Sequence, residues 1–336
     1  VLWTPNTLVA LETGTQESVN SIGFSSDGQF LAAGGQDGQV KIWQLHTKPG
    51  KKAAGAHKHG DTERFSEHLP LLSPSLVLSP SPSKTWVEQL DWSPIANQLA
   101  FSVGRSVQIW DADKRKVIAT LNFEDSSVLG IQWRPDGQYL AICGHRGVKI
   151  WNAQDWEDDP YNFDIRAASI AIAWSPDSQY LASGNLDRTL MVLEWNNPDP
   201  WIMRGFPGKI RSCTWSAPLT SAGTPLLAAA CAQTITVWEK QLGETAGWEA
   251  HMLEVHEGTV QAIAFQPGTF LLASASSDGF VCLWQEANQV VQILEGATAG
   301  FSCLAWHPQG QVDSHAAPLL AAGGQNGELF VWQKAI

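Results

Sequence analysis

The sequence predicts an all-β protein built from repeats, and two observations carry that prediction. Segment 260–284 has the pattern of three short strands: apolar and small residues alternate in VQAIAF, LLASAS and FVCLW, with Pro-Gly and Asp-Gly turns between them. The same pattern recurs along the chain, each time ending on a large apolar residue. The ends fall at Trp43, Trp110, Trp151, Leu193, Trp238, Trp284 and Trp332. Seven units of about 40 residues therefore cover nearly the whole chain.

Each unit opens with a strand that ends in a large residue and a polar turn. Examples are IGFSSDG at 22–28, IQWRPDG at 131–137 and IAWSPD at 172–177. A second strand of Leu-Ala and small residues follows, as in LAAGG at 31–35, and small side chains let neighbouring sheets approach. One sheet of this kind cannot bury both of its faces alone, so the units are expected to pack against one another.

These repeats resemble the WD40 family of β-propellers, although the literal Trp-Asp pair occurs only at Trp110-Asp111 and the fourth unit has Leu193 instead of tryptophan. The resemblance, to a bacterial and possibly cyanobacterial member, implies a single seven-bladed propeller domain over residues 1–336. The last unit stops near Trp332 without an outer strand, so an N-terminal strand should pair with it and close the ring. An eight-bladed parent with a truncated N-terminus is the alternative, because Trp3 lies one repeat length before Trp43 and the chain begins without Met.

The resemblance also implies a structural role for four residues of the sixth unit. In this family a histidine, a strand serine or threonine, the turn aspartate and the tryptophan form a buried hydrogen-bond network. His256, Ser274, Asp278 and Trp284 match those roles, with Ser276 as an alternative to Ser274. We therefore interpret His256 as structural rather than catalytic or metal-binding.

Composition excludes several classes of function. The chain has 33 acidic and 21 basic residues, a net charge of −12, which disfavours broad nucleic-acid binding. Five cysteines without CxxC spacing disfavour a disulfide framework or a zinc site and indicate small buried residues in a reducing compartment. Without an 18-residue apolar run or a visible leader, we expect a cytoplasmic protein with no membrane contact and no cofactor.

The step between the first two units is longer than the others and implies an insertion at about 46–84. Its Lys, Pro and Ser content predicts a flexible surface loop, although Leu76-Val77-Leu78 is a possible outer strand. Its histidines His57, His59 and His68 are weak metal-ligand candidates. A metal-handling accessory protein is therefore the alternative function.

The main candidate site becomes visible when the units are aligned. Five residues before each unit end, in the turn between the second and third strands, the chain has Arg105, Arg146 and Arg188 in three consecutive units. We expect their guanidinium groups to form an arc on one face and to bind an acidic or phosphorylated segment. The alternative is that each arginine pairs locally, for example with Asp187. Further candidates expected on that face are Trp86, Arg166, Lys209 and Arg211.

Two further tryptophans, Trp156 and Trp201, lie outside the repeat positions. They are either contact anchors for a partner or caps on the outer strands. No nucleophile with a base in reach is apparent, and the Ser-Pro-Asp segments are turns. The sequence therefore predicts a non-enzymatic scaffold that binds a protein or peptide, a function that follows from the family resemblance.

Overall fold

A computed structural model describes residues 5–45, 74–81, 84–124, 126–197, 199–241, 247–308 and 318–334. These residues form 28 strands in seven four-stranded antiparallel sheets, which are the blades of a β-propeller, and no helix occurs among them. The all-β class and the seven blades expected from the sequence are confirmed.

Blades 1 to 6 use their strands in chain order from the inner to the outer edge. Blade 1 consists of β2 (Val19–Phe24), β3 (Phe30–Gly35), β4 (Val40–Gln44) and β5 (Leu76–Leu78), and blade 2 of β6 (Leu90–Trp92), β7 (Gln98–Val103), β8 (Ser106–Asp111) and β9 (Lys116–Asn122). Blade 3 consists of β10 (Gly130–Trp133), β11 (Tyr139–Gly144), β12 (Gly147–Asn152) and β13 (Tyr161–Asp164), and blade 4 of β14 (Ser169–Trp174), β15 (Tyr180–Asn185), β16 (Leu190–Glu194) and β17 (Trp201–Met203). Blade 5 consists of β18 (Ile210–Leu219), β19 (Pro225–Cys231), β20 (Thr234–Lys240) and β21 (Trp248–Glu254), and blade 6 of β22 (Val260–Phe265), β23 (Leu272–Ser276), β24 (Phe280–Gln285) and β25 (Gln289–Glu295).

Blade 7 is completed by the two ends of the chain. Its inner three strands are β26 (Phe301–Trp306), β27 (Leu319–Gly324) and β28 (Glu328–Lys334), and its outer strand is β1 (Pro5–Glu12). β1 runs antiparallel to β28, and Thr13 Oγ1 donates a buried 2.6 Å hydrogen bond to Gly327 O just beyond this pairing. The expected closure is confirmed, and it covers the outer edge of β28, which would otherwise be unpaired. Trp3, the basis of the eight-bladed alternative, lies outside the described residues.

The antiparallel order gives the ring two different faces. The top face carries the turns between second and third strands and the connections from each outer strand to the next inner strand. The bottom face carries the turns between first and second strands and those between third and fourth strands. This division decides which loops share a surface.

The tryptophans that end the inner strands connect neighbouring blades. In three blades the indole N–H donates to a backbone carbonyl of the preceding inner strand: Trp92 to Gly23 (3.1 Å), Trp215 to Ala173 (2.9 Å) and Trp306 to Ala264 (3.0 Å). The accepting residue is glycine or alanine each time. Its small side chain leaves the carbonyl accessible to the next blade.

A side-chain acceptor replaces this contact where blade 2 meets blade 3 and where blade 3 meets blade 4. Asp91 Oδ2 accepts the backbone N–H of Trp133 at 2.7 Å, and Gln132 Oε1 accepts that of Trp174. The indole N–H groups of Trp133 and Trp174 are buried without a partner among the described residues. The residue before the aromatic side chain that ends an inner strand therefore determines the kind of hydrogen bond that the next blade makes with it.

The four residues singled out in the sixth blade lie within hydrogen-bonding distance of one another. His256 Nδ1 is 3.0 Å from Asp278 Oδ2, and His256 Nε2 is 2.8 Å from Ser274 Oγ, which also accepts the Trp284 indole N–H at 2.9 Å. Burial alone would raise the pKa of Asp278, but hydrogen bonds from backbone N–H groups and the contact with His256 outweigh burial and lower the pKa. This arrangement fits a structural role for His256.

Blade 4 has a different buried network where the tryptophan is missing. The hydroxyls of Ser169 and Ser183 are 2.7 Å apart, Ser183 donates to Asn185 Oδ1, and Asn185 Nδ2 donates to Thr189 Oγ1. Ser169, Ser183 and Asn185 are completely buried. Hydroxyl and amide groups thus take the place of the indole and histidine of blade 6, whereas Asp187, at the position of Asp278, accepts the Thr189 hydroxyl.

All five cysteines are buried in strands. Burial raises the pKa of Cys143, Cys213, Cys282 and Cys303 to about 12, so their thiols remain protonated and unreactive at neutral pH. Within the described residues they act as small apolar side chains, as the sequence indicated.

The structure describes only part of the insertion predicted at 46–84. Leu76–Leu78 forms the outer strand of blade 1 and pairs with β4, as the apolar pattern indicated. His57, His59 and His68 lie outside the described residues, so metal binding by this loop remains a sequence hypothesis.

A candidate partner-binding surface on the top face

The turns that carry the arginines have an unusual backbone conformation. Arg146 and Arg188 have φ angles of 71° and 67° in the left-handed region, which glycines occupy in the corresponding turns at Gly38, Gly279 and Gly327. A side chain in this conformation costs roughly 1 to 2 kcal/mol relative to the right-handed conformation. Such strain often marks functional positions, which makes these arginines notable.

Arg105 differs from the other two arginines in backbone conformation. Like Arg146, it is the second residue of a two-residue turn, which in blade 2 joins Val103 to Ser106. In this turn the first residue, Gly104, takes the left-handed conformation with φ of 64°. Arg105 therefore shares the register position of Arg146 without its strained backbone.

The predicted basic residues nevertheless share the top face. Arg105, Arg146, Arg166 and Arg188 are exposed, and Lys209 and Arg211 are partly buried at the start of blade 5. Burial raises the pKa of the Cys231 thiol, whereas the Gly208 backbone and the positive charges of Arg188 and Arg211 lower it. Both arginines therefore lie close to Cys231, at the junction of blades 4 and 5.

Trp86 adds an exposed aromatic side chain to this face. It lies in the connection between blades 1 and 2, and half of its surface is exposed. Large aromatic residues and arginines are the residue types that dominate binding energy at protein interfaces. The face therefore combines both types.

Charge is divided across the top face. Cationic side chains follow blades 2 to 5 and the connections between them: Lys84, Arg105, Arg146, Lys149, Arg166, Arg188, Arg204, Lys209 and Arg211. The same sector also carries Glu88, Glu124, Asp164, Asp187 and Glu254, so among the described residues cations outnumber acidic side chains there. Acidic side chains dominate around the rest of the ring: Glu17, Glu257, Asp278, Glu295 and Glu328. There Lys41 is paired with Asp37. The sequence alignment located the arginines but did not reveal this division.

The local pairing considered for the arginines differs from one to the next. Arg105 Nη1 donates a 3.4 Å hydrogen bond to Glu124 O, and Arg146 makes contacts within the chain. Asp187 accepts the Thr189 hydroxyl at 2.7 Å and forms no ion pair with Arg188 in the described part of the chain. A guanidinium group has five N–H donors, so the one hydrogen bond of Arg105 does not use its full donor capacity.

Comparison with known protein families agrees with this architecture. The family described as "WD domain, G-beta repeat" matches residues 6–44, 115–152, 165–194, 247–285 and 288–333, which together make up more than half of the chain. The chain belongs to the WD40 family. The matched ranges fall on blades 1, 3, 4, 6 and 7 and on the outer strands that precede blades 3 and 6.

Curated relatives match this WD40 chain over short regions. The small ribosomal subunit protein RACK1 of Caenorhabditis elegans is 28% identical over 109 residues, 32% of this chain and 25% of the relative. The periodic tryptophan protein 2 homolog of Dictyostelium discoideum is 31% identical over 77 residues, 23% of this chain and 8% of the relative. The nuclear distribution protein PAC1 of Yarrowia lipolytica is 26% identical over 103 residues, 30% of this chain and 22% of the relative. The matches thus span a quarter or less of each of these relatives.

Trp156 and Trp201 do not belong to the top-face surface of this WD40 propeller. Both lie at the bottom, in or after the turns between third and fourth strands, and both are partly buried. The Trp156 ring packs edge-on against Trp133 at 5.7 Å, and the Lys240 ammonium lies 5.9 Å from the Trp201 ring. Packing at the outer strands accounts for both residues, so they are not retained as partner anchors.

The described residues also bear on two other classes of function. No group of three or more His, Cys, Asp or Glu side chains is arranged to hold a metal ion in these segments. The same residues include no helix with the length and apolar character needed to cross a membrane.

Proposed function

We propose that this WD40 propeller is a non-enzymatic scaffold that binds an acidic segment of a partner protein on the top face of blades 2 to 5. The concentration of cationic residues on this part of one face carries the proposal, because the chain as a whole has a charge of −12. A local positive surface on an acidic protein attracts acidic segments selectively. Arginines there offer bidentate hydrogen bonds to carboxylates.

The relatives support an assembly role without identifying the partner. One is named as a protein of the small ribosomal subunit and another as a nuclear distribution protein. WD40 propellers are generally scaffolds, and their relatives here include no named enzyme. We further propose that the protein acts in the cytoplasm, on protein rather than membrane or nucleic-acid partners. No described residue favours the metal-handling alternative.

Charge reversal on the top face tests this proposal. The variant Arg105→Glu, Arg146→Glu, Arg188→Glu is expected to lose the partner that the parent protein captures from a native lysate, because like charges then face an acidic segment. Captured proteins are identified by mass spectrometry, and folding of the variant is checked by circular dichroism.

A matched control changes the same number of charges at the other end of the ring. Lys114, Arg115 and Lys116 lie in a bottom-face turn of blade 2 and are exposed. Their replacement by glutamate is expected to leave capture unchanged. Equal retention of every partner by the parent and the top-face variant would refute the proposed docking surface.

A further inference from the structure

We propose that the top rim between blades 2 and 3 contains a subsite for a phosphorylated serine or threonine of the partner, formed by His145, Arg146, Lys149 and Asn162. This inference rests on the proposed function and specifies the chemistry of one part of that surface. It is carried by a cavity, by a comparison between repeats and by the orientation of the cations.

The cavity has a volume of about 290 Å³ and opens at the top face. Phe123 of blade 2 and Val148 form buried apolar parts of its wall. The polar lining comes from His145, Arg146, Lys149, Asn162 and Asp164. Lys149 pairs with Asn162 and Gly147 pairs with Asp164 across β12 and β13, so these positions share one face of the blade. Contact between Lys149 and Phe123 shows that this face is turned toward blade 2.

Comparison of blades 1 and 3 shows which residues make the cavity cationic. Both have the sequence Val-Lys-Ile-Trp on the third strand, with Lys41 equivalent to Lys149. In blade 1 the preceding turn contains Asp37, which forms an ion pair with the largely buried Lys41. In blade 3 the turn is shorter and consists of His145 and Arg146. The turn thus has an acidic residue in blade 1 and two basic side chains in blade 3, next to a lysine that both blades share.

The Lys149 ammonium and the backbone of Arg146 are both anchored to neighbouring segments. Lys149 Nζ donates to Phe123 O at 3.0 Å and lies 5.3 Å from the centre of the Phe123 ring. Arg146 has φ of 71°, and its carbonyl accepts the N–H of Ile165 at 3.2 Å. Both residues make additional contacts within the chain, so a ligand must compete with those contacts.

A phosphate monoester fits this combination better than a carboxylate. It carries close to two negative charges at neutral pH and three terminal oxygens. Arg146 and Lys149 balance that charge, and the Asn162 amide and the His145 ring offer further donors. The carboxylate of Asp164 repels any anion, but the two cations outnumber it. A doubly charged phosphate therefore gains more from this cavity than a singly charged carboxylate does.

Binding of a defined probe tests the subsite. The probe is an acetylated and amidated pentapeptide, Ala-Ala-phosphoSer-Ala-Ala, and its comparators carry serine or glutamate at the centre. Titration followed by NMR at 0.15 M salt is expected to show saturable binding of the phosphopeptide and at least tenfold weaker binding of both comparators. Arg146→Gly is expected to weaken binding roughly tenfold or more, the usual effect of losing a hydrogen bond to a charged group.

The control for this variant is Arg115→Gly. Arg115 also has a left-handed conformation, with φ of 52°, and it is exposed and carries the same charge, but it lies on the bottom face and does not line the cavity. Glycine suits both turns, so both variants are expected to fold, and Arg115→Gly should change the affinity for the pentapeptide less than twofold. Asp164→Asn is expected to strengthen binding severalfold by removing the opposing carboxylate.

Equal weakening by Arg146→Gly and Arg115→Gly would overturn the subsite, because diffuse positive charge would then explain binding. Absence of phosphopeptide binding to the parent protein would overturn it as well. Binding to vesicles containing phosphatidylinositol 4-phosphate without binding to the pentapeptide would reject a protein source for the phosphate. The proposed function would survive any of these failures if, in the lysate experiment above, the parent protein captures a partner that the charge-reversed top-face variant does not capture.

Discussion

Replacing Trp284 with alanine is expected to lower the free energy of unfolding by about 3 to 5 kcal/mol, the usual cost of truncating a large buried aromatic residue. Trp284 is 2% exposed and packs between blades 5 and 6 with Val237, Leu253 and Ile263. The small neighbouring residues in strand β23 cannot expand to fill the cavity. Denaturant unfolding followed by circular dichroism gives the difference.

Phenylalanine substitutions separate packing from hydrogen bonding in this prediction. Trp284 donates to Ser274, whereas the equivalent Trp43 has a buried indole N–H with no partner among the described residues, because Ala33 occupies the position of Ser274. Trp284→Phe should therefore cost about 1 to 3 kcal/mol more than Trp43→Phe. Equal effects would contradict a stabilising network in blade 6. A loss below about 1 kcal/mol for Trp284→Ala would contradict tight packing at this position.

The second large effect is expected at Asp91. Burial raises the pKa of this carboxyl to about 7, although the backbone N–H groups of Trp133 and Trp92 oppose the rise. The folded state therefore favours the protonated form. The stability that this group contributes is complete below pH 4 and is lost as pH rises from about 4 to 7.

Asp91→Asn should remove this pH dependence. The amide oxygen can accept the Trp133 N–H in place of the carboxylate, so we expect the variant to exceed the parent in stability at pH 8 and to match it near pH 4. Each pKa unit corresponds to about 1.4 kcal/mol, so the gain at pH 8 has an upper limit of about 4 kcal/mol. Partial exposure of Asp91 reduces the gain below that limit.

Unfolding curves of both proteins at pH 4, 6 and 8 give the difference directly, and comparison at each pH cancels titrations that the two proteins share. The pKa of Glu88, on the preceding segment, is also raised by burial, which gives Glu88→Gln as a variant with the same expected sign. Lower stability of Asp91→Asn at pH 8 would mean that the charged carboxylate holds blades 2 and 3 together.

The sequence was sufficient for the fold because the repeats specify it many times. Trp43, Trp110 and the later unit ends mark the third strands, and the leucine-alanine segments mark the second strands. An N-terminal outer strand was predictable because the last unit lacks one. Even the short outer strand at Leu76–Leu78 was visible as an apolar run inside a polar insertion.

The candidate surface was predictable only in part. Counting back from each unit end identified the face of Arg105, Arg146 and Arg188, but it could not show that Gly104 rather than Arg105 takes the left-handed conformation in the turn of blade 2. Strand ends rather than residue types determine which face a side chain joins. For that reason Trp156 and Trp201 appeared equally suited to binding and to packing until their strands were located.

Lys149 and Asn162 were missed because they lie on strands and carry no motif of their own. Comparison of corresponding repeats contained the signal: Asp37 precedes Lys41 in blade 1, and His145 and Arg146 precede Lys149 in blade 3. A change of charge at one repeat position, beside an unchanged lysine, indicates a site. The acidic residues on the rest of the top face are far apart in sequence. Their common location was visible only in the closed ring.

Photo-crosslinking from single positions on opposite faces tests the central claim most directly. Leu186, beside Asp187 and Arg188 on the top face, is 52% exposed, and Tyr161, at the bottom of blade 3, is 55% exposed. A benzophenone amino acid at each position is irradiated in the native lysate. A partner crosslinked from position 186 and not from 161 is the predicted result. The same partner crosslinked only from position 161 would contradict top-face binding.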